Sequence, residues 1–217
     1  MYNRCRCKHC RSSFPDLPSS VMVYAFLIHT LFPGQTKVLF YQIFGSDTSG
    51  SSTVASDTNR SSNKRQKCKT DIEYVASQVH SEFQFRRSVA GRTVDDDIQA
   101  LNQEEQLPQF ELGFLRLPVG APFADDKIVV WLGAGNTCFT LVCYKQENRT
   151  LAEHVLKTLI RHLQDYLRVL NQPAEASLKA DRVCLILNRF LPDGALVFMN
   201  HRVVRGIERE LEVLIKT

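Results

Sequence analysis

Met22 opens the run Met22-Val23-Tyr24-Ala25-Phe26-Leu27-Ile28-His29-Thr30-Leu31, almost unbroken in apolar side chains and closed by Pro33-Gly34. A helix needs about 20 apolar residues to cross a bilayer, and this run is half that length. It suits a strand buried on both faces, because only such a strand loses the alternation of apolar and polar positions. The run therefore predicts a sheet whose central strand comes at the start of the domain, with helices covering both faces.

The chain of 217 residues fits one generous domain, and its hydrophobic fraction of 44% with 13 Phe supplies a core. The net charge of +4 is unevenly placed: Arg4, Arg6, Lys8 and Arg11 against Asp16 put +3 within residues 1–21 and leave +1 to the rest. A near-neutral body argues against direct nucleic-acid binding, which depends on neutralising many phosphates. The seven cysteines are an odd number, and Cys138 and Cys143 are five apart on an expected strand, so they point to opposite faces. They read as buried thiols in a reducing compartment. A basic start before an apolar run resembles a secretory signal. Pro15 and Pro18 separate the two parts, however, His29 interrupts the run and no small-x-small cleavage site follows. Membrane attachment is expected only through partners.

Residues 1–20 carry no periodicity and read as a disordered extension to a domain spanning 21–217. A strand over Val21–Leu31 turns at Phe32-Pro33-Gly34-Gln35, with proline and glycine at the two central positions of a type II turn, and returns as Lys37–Phe44. Residues 45–69 are rich in Ser, Thr, Asn and Asp, end in the basic cluster Lys64, Arg65, Lys67 and Lys69, and read as a flexible insert. Thr70-Asp71-Ile72-Glu73 has the form of a capping box. Ile72, Val75, Ala76, Val79 and Phe83 then form one helical stripe. Residues 91–108 make a second flexible, acidic insert; its Asp95-Asp96-Asp97 lacks the spacing of a calcium loop.

Strands follow at Phe110–Leu117, Ile128–Leu132 and Thr137–Tyr144, the last two joined by the hairpin turn Gly133-Ala134-Gly135-Asn136. Thr150-Leu151-Ala152-Glu153 opens a long helix whose apolar face runs from Leu151 to Leu170, stopped by Asn171 and Pro173. A third helix is expected over Ala174–Arg189, with Leu178, Val183, Leu185 and Ile186 turned inward. A turn at Phe190-Leu191-Pro192-Asp193-Gly194, a short strand Ala195–Met199 and a final helix Asn200–Ile215 complete the order. Two strands, a helix, three strands and then helices describe an α+β, longin-like fold. One helix covers one face of a five-stranded antiparallel or mixed sheet, and the C-terminal helices cover the other.

No Gly-x-Ser-x-Gly elbow, His-Glu-x-x-His pair or phosphate-binding Gly-x-x-x-x-Gly-Lys loop occurs, so no catalytic or cofactor residue is assigned. Gly133-x-Gly135 precedes a strand rather than a helix, which disqualifies it as a dinucleotide loop. His154 and His162 lie on one helix but are rotated ~80° apart, so they do not face one metal and read as rim or partner-facing side chains. His29 is expected to hydrogen-bond within the sheet. Cys5-x-Cys7-x-His9-Cys10 has metal-ligand residue types without a second half to the site, so no metal is assigned. Asn148-Arg149-Thr150 matches the glycosylation pattern, but its Thr is expected to cap a helix.

Several segments carry a resemblance: Met22–Leu31, Val129-Val130-Trp131-Leu132-Gly133, Leu151–Arg168, Ala180-Asp181-Arg182, Phe190–Gly194 and Gly206-Ile207-Glu208-Arg209-Glu210. In this order they resemble the sigma (small) subunits of adaptor protein complex 5, a vesicle-coat adaptor of endosomes and lysosomes; residues 1–21 have no counterpart. The resemblance implies a non-enzymatic longin domain clasped by the zeta large subunit, in a heterotetramer with beta and mu. It further implies links to spatacsin and spastizin, and a cytoplasmic, peripheral place on late endosomes and lysosomes in retrieval. Other sigma subunits help bind acidic dileucine signals, but no residues here match that groove. The expected partner interface comprises Phe190, Leu191, Phe198, Met199, His154 and His162. Two rival readings are a nuclear accessory factor in double-strand break repair, using the basic loop Arg60–Lys69, and a small cytosolic α/β enzyme of unknown substrate.

Overall fold

In the computed structural model, residues 22–45, 57–91, 99 and 108–216 are described. The expected extension over 1–20 and most of the expected loop over 91–108 lie outside them. Five strands, β1 (Val23–Thr30), β2 (Val38–Ile43), β3 (Glu111–Leu117), β4 (Lys127–Ala134) and β5 (Thr137–Tyr144), form one sheet in the order β2-β1-β5-β4-β3. Every neighbouring pair is antiparallel. All eight residues of β1 are buried, as its unbroken apolar run requires, but the middle place in the sheet belongs to β5. β1 is the inner neighbour of the edge strand β2.

The helices are α1 (Asp57–Ala90), α2 (Arg149–Leu167), a single turn α3 (Glu175–Leu178), α4 (Ala180–Phe190) and α5 (His201–Lys216). The strand alternation divides the core between them. Val129, Trp131, Cys138 and Val142 face Ile72, Val75, Ala76, Val79 and Phe83 of α1. Val130, Leu132, Phe139, Leu141 and Cys143 face the layer of α2, α4 and α5. Cys138 and Cys143 are thus on opposite faces, both free and buried, as their odd separation predicts.

Helix α1 ties the α1 face to three strands. Its His80 Nε2 and Gln84 Nε2 donate to the carbonyls of Phe32 and Leu31, each at 3.0 Å, and Arg86 Nη1 donates to Leu112 O at 2.6 Å. The β1–β2 turn and the edge strand β3 are therefore held by one element. His29 is buried beneath this helix, 3.2 Å from Thr140 Oγ1 and 3.3 Å from Thr30 O, which places it in the sheet as expected. Burial lowers its pKa to about 4, against the raising effect of the Thr30 carbonyl.

Several local expectations are corrected. Helix α1 begins at Asp57, so residues 57–69 are helical rather than a flexible insert. Lys, Arg and Gln are good helix formers without any apolar stripe, and polarity alone did not distinguish such a helix from a loop. Thr70 is consequently interior: its hydroxyl donates to Gln66 O at 3.1 Å, bonding back along the helix instead of capping it. The cap of α2 is Asn148, whose Oδ1 accepts from Thr150 N and Leu151 N, while Glu153 pairs with Lys157 at 2.6 Å rather than reaching back. The expected third helix is broken at Lys179 (φ −113°, ψ 43°), and Leu178 points outward, 75% exposed. Residues 195–199 form no strand. Asn200 caps α5 by accepting from Arg202 N and Val203 N, both at 3.0 Å.

Candidate partner interface

The α2–α4–α5 layer is built from three amphipathic stripes. Val155, Leu159, Ile160 and Leu163 of α2 lie buried on the sheet, Val183, Ile186, Leu187 and Phe190 of α4 are buried with them, and Ile207 and Leu211 anchor α5. Gln42 on edge strand β2 donates to Asn188 Oδ1 at 3.2 Å, and Ser177 Oγ donates to Leu39 O at 2.7 Å, so this layer also grips the outer strand.

The structure separates the expected interface residues. Phe198 is 74% exposed and His154 is exposed. Phe190, Leu191, Met199 and His162 are buried and are not at the surface of this chain, which corrects the expectation for those four. The physical reason lies in Phe190-Leu191-Pro192-Asp193-Gly194, which is an internal clasp. Phe190 stacks on the His162 ring at 4.4 Å, and Gly194 (φ 82°) passes so close to β1 and β2 that a Cβ there would sit 2.7 Å from Phe44 Cβ and 2.9 Å from Val23 O. Only glycine satisfies both the positive φ and that approach.

His162 is enclosed by charge as well as by packing. Its Nε2 is 3.7 Å from Glu208 Oε1 and its Nδ1 is 4.0 Å from Asp165 Oδ2. Burial nevertheless wins, with help from the Arg161 charge, and lowers the His162 pKa to about 4. The ring is therefore neutral at pH 7, and it serves the α2–α4–α5 packing.

Both outer layers leave some apolar side chains uncovered. Tyr74, Phe85 and Val89 on α1 are 39%, 65% and 72% exposed, and Val213 and Leu214 near the end of α5 are 69% and 45% exposed. Their spacing marks them in the sequence only as apolar; the side of the helix they occupy depends on where the sheet sits.

One buried charge escaped the sequence reading altogether. The side chain of Lys127 is fully buried, its Nζ 4.1 Å from the Tyr144 ring centroid, 5.5 Å from Tyr24 and 5.9 Å from Phe123. The nearest carboxylate, Asp125, is 3.8 Å away and exposed. Three rings from separate elements offer their negative faces to the ammonium, which compensates part of its desolvation. No local pattern marks such a cage, because its walls meet only in the fold.

Among the described residues no group of three or more His, Cys, Asp or Glu gathers to hold a metal ion, and the Cys5–Cys10 cluster lies outside them. No helix among the described residues is long and apolar enough to cross a membrane.

Comparison with known proteins gives a consistent result. The family model for AP-5 complex subunit sigma-1 matches residues 22–212. The chain is 39% identical to the human AP-5 complex subunit sigma-1 over 197 residues, covering 87% of this chain and 96% of the human protein. It is 35% identical to the mouse protein of the same name over 157 residues, covering 69% of this chain and 90% of that one.

Proposed function

The chain belongs to the AP-5 complex subunit sigma-1 family, the small chains of an adaptor complex, and on that premise we propose that it acts in membrane trafficking as a non-enzymatic scaffold. In this reading a zeta large subunit clasps it, beta and mu complete a heterotetramer, and spatacsin and spastizin work with the assembly in retrieval from late endosomes and lysosomes. The chain itself stays cytoplasmic and peripheral, reaching those membranes within the complex.

The observation that supports the reading is the pair of uncovered apolar faces: Tyr74, Phe85 and Val89 on α1, and Phe198, Val213 and Leu214 on the opposite layer. Clusters of exposed apolar side chains mark interaction surfaces. An obligate interface of about 2,000–5,000 Å² would take up the α1 face. The test is affinity purification with the full chain as bait. Zeta, beta and mu are expected in equal amounts; recovery of the chain as a monomer without them refutes the proposal.

A further inference from the structure

We infer that the outward face of α5 docks directly on an anionic lipid surface. Arg202, Arg205 and Arg209 recur at spacings of three and four, so they form one stripe on the side of α5 opposite its buried Ile207 and Leu211. All three are exposed, and none makes an ion pair with another described residue. Val213, eleven residues beyond Arg202, continues the same stripe and is 69% exposed.

Two acidic residues of α5 are turned the other way. Glu208 faces His162 of α2 at 3.7 Å, and Glu210 pairs with Arg189 of α4 at 3.2 Å. Glu212 is exposed and, three residues beyond Arg209 and seven beyond Arg205, lies along the edge of the arginine stripe, where it offsets one of the three charges. The helix thus turns two of its carboxylates toward α2 and α4 and leaves three guanidinium groups against one carboxylate on its outward side, a net positive face. Between the arginines, Gly206 has open space where a side chain would be.

The shape selects the occupant. A convex helix face offers an extended peptide neither a groove nor a strand edge, whereas a negatively charged bilayer meets such a face along its length. Arginines lie at the headgroups and an adjacent apolar side chain reaches the acyl boundary. This deepens the adaptor reading, on which it rests for bringing the chain to a membrane, by giving the small subunit a contact of its own.

The test is vesicle co-sedimentation of the full chain, free and in the complex it purifies with, on phosphatidylcholine vesicles with and without phosphatidylserine. Binding is expected only with phosphatidylserine and is expected to fall as salt shortens the screening length. Arg202→Gln, Arg205→Gln and Arg209→Gln together are expected to weaken it about a hundredfold, about fivefold per arginine. Removing as much charge from α2 with Arg149→Gln, Lys157→Gln and Arg161→Gln is expected to change it less than about twofold. Circular dichroism checks that both variants fold. Three results overturn the inference: equal binding to both vesicle types, equal losses in the two variants, or an α5 variant that folds and keeps its vesicle binding. A chain that recovers zeta, beta and mu but ignores the vesicles sinks this inference and leaves the adaptor reading standing.

Discussion

Gly113→Ala tests how α1 is joined to the sheet. Gly113 on β3 pairs with Trp131 on β4, and a Cβ at Gly113 would lie 2.2 Å from Trp131 Cε2 and Cζ2 and 2.5 Å from Nε1. No side-chain carbon tolerates such distances, so either β3 moves outward or the indole turns. The indole is fully buried, edge-on to Phe83 with centroids 6.0 Å apart, and the Arg86 guanidinium lies 5.3 Å over it. Overpacking costs about 1–3 kcal/mol. Disturbing the aromatic pair adds about 0.5–1.5 kcal/mol, and weakening the cation–π contact about 0.5–1 kcal/mol. The expected loss is about 3 kcal/mol, or about 6–12 °C in Tm for a domain of this size. The assay is urea unfolding followed by fluorescence, for which the single Trp of the chain is the reporter. Trp131→Leu removes the ring that the new methyl meets, so the double variant, followed by circular dichroism, should lose less than the two single losses combined. A Gly113→Ala protein within about 0.5 kcal/mol of its parent, with unshifted Trp131 emission, would refute the reasoning.

Three further outcomes are expected. His29 and His162 titrate at about 4 when folded against an ordinary 6.5, so the stability from keeping them neutral is complete above pH 6.5 and is lost as pH falls toward 4. Each should cost about 2 kcal/mol between pH 7 and pH 5, and His162→Leu should make the fall in denaturation midpoint shallower. Asn148→Ala should destabilise by about 1 kcal/mol through loss of the α2 cap, whereas Thr150→Ala should be nearly silent in the same urea experiment. Gly206→Ala should raise stability by about 0.5–1 kcal/mol, because its Cβ would enter open space within a helix; a fall in Tm would contradict the helical conformation at that position.

The strands were legible because burial leaves a period in the sequence. An apolar run without alternation gave β1, and Gly133-Ala134-Gly135-Asn136 gave the β4–β5 turn two residues too wide: Gly133 and Ala134 still pair with β5, Ala134 faces Thr137, and only Gly135-Asn136 turns, with Gly135 taking a positive φ (55°) that a two-residue hairpin turn demands. Helix α1 was legible only from Ile72 onward. Before it Arg65, Gln66 and Lys67 are exposed, and a polar helix leaves no period to read. The α2 cap was missed because two templates overlapped there. Thr150-x-x-Glu153 has the spacing of a capping box, yet Asn148 lies two residues earlier with an amide oxygen already in reach of the first free N–H groups.

The interface was harder to read for a more general reason. Phe190 and Phe198 are both aromatic, eight residues apart and next to turns, yet one is fully buried and the other 74% exposed. What separates them is Gly194 closing on Val23 O and Phe44, a contact between the two ends of the domain. A short distinctive motif such as Phe190-Leu191-Pro192-Asp193-Gly194 therefore marks where the chain must fit itself, since positive φ at Asp193 (49°) and Gly194 (82°) restricts the residues allowed. Residues that meet a partner face no such internal restriction. Their identity follows from what is left over after the sheet has claimed its faces, and on the outward side of α5 the remainder is Arg202, Arg205, Arg209 and Val213 with Glu212 beside them, a surface that appears only once Ile207 and Leu211 have been buried.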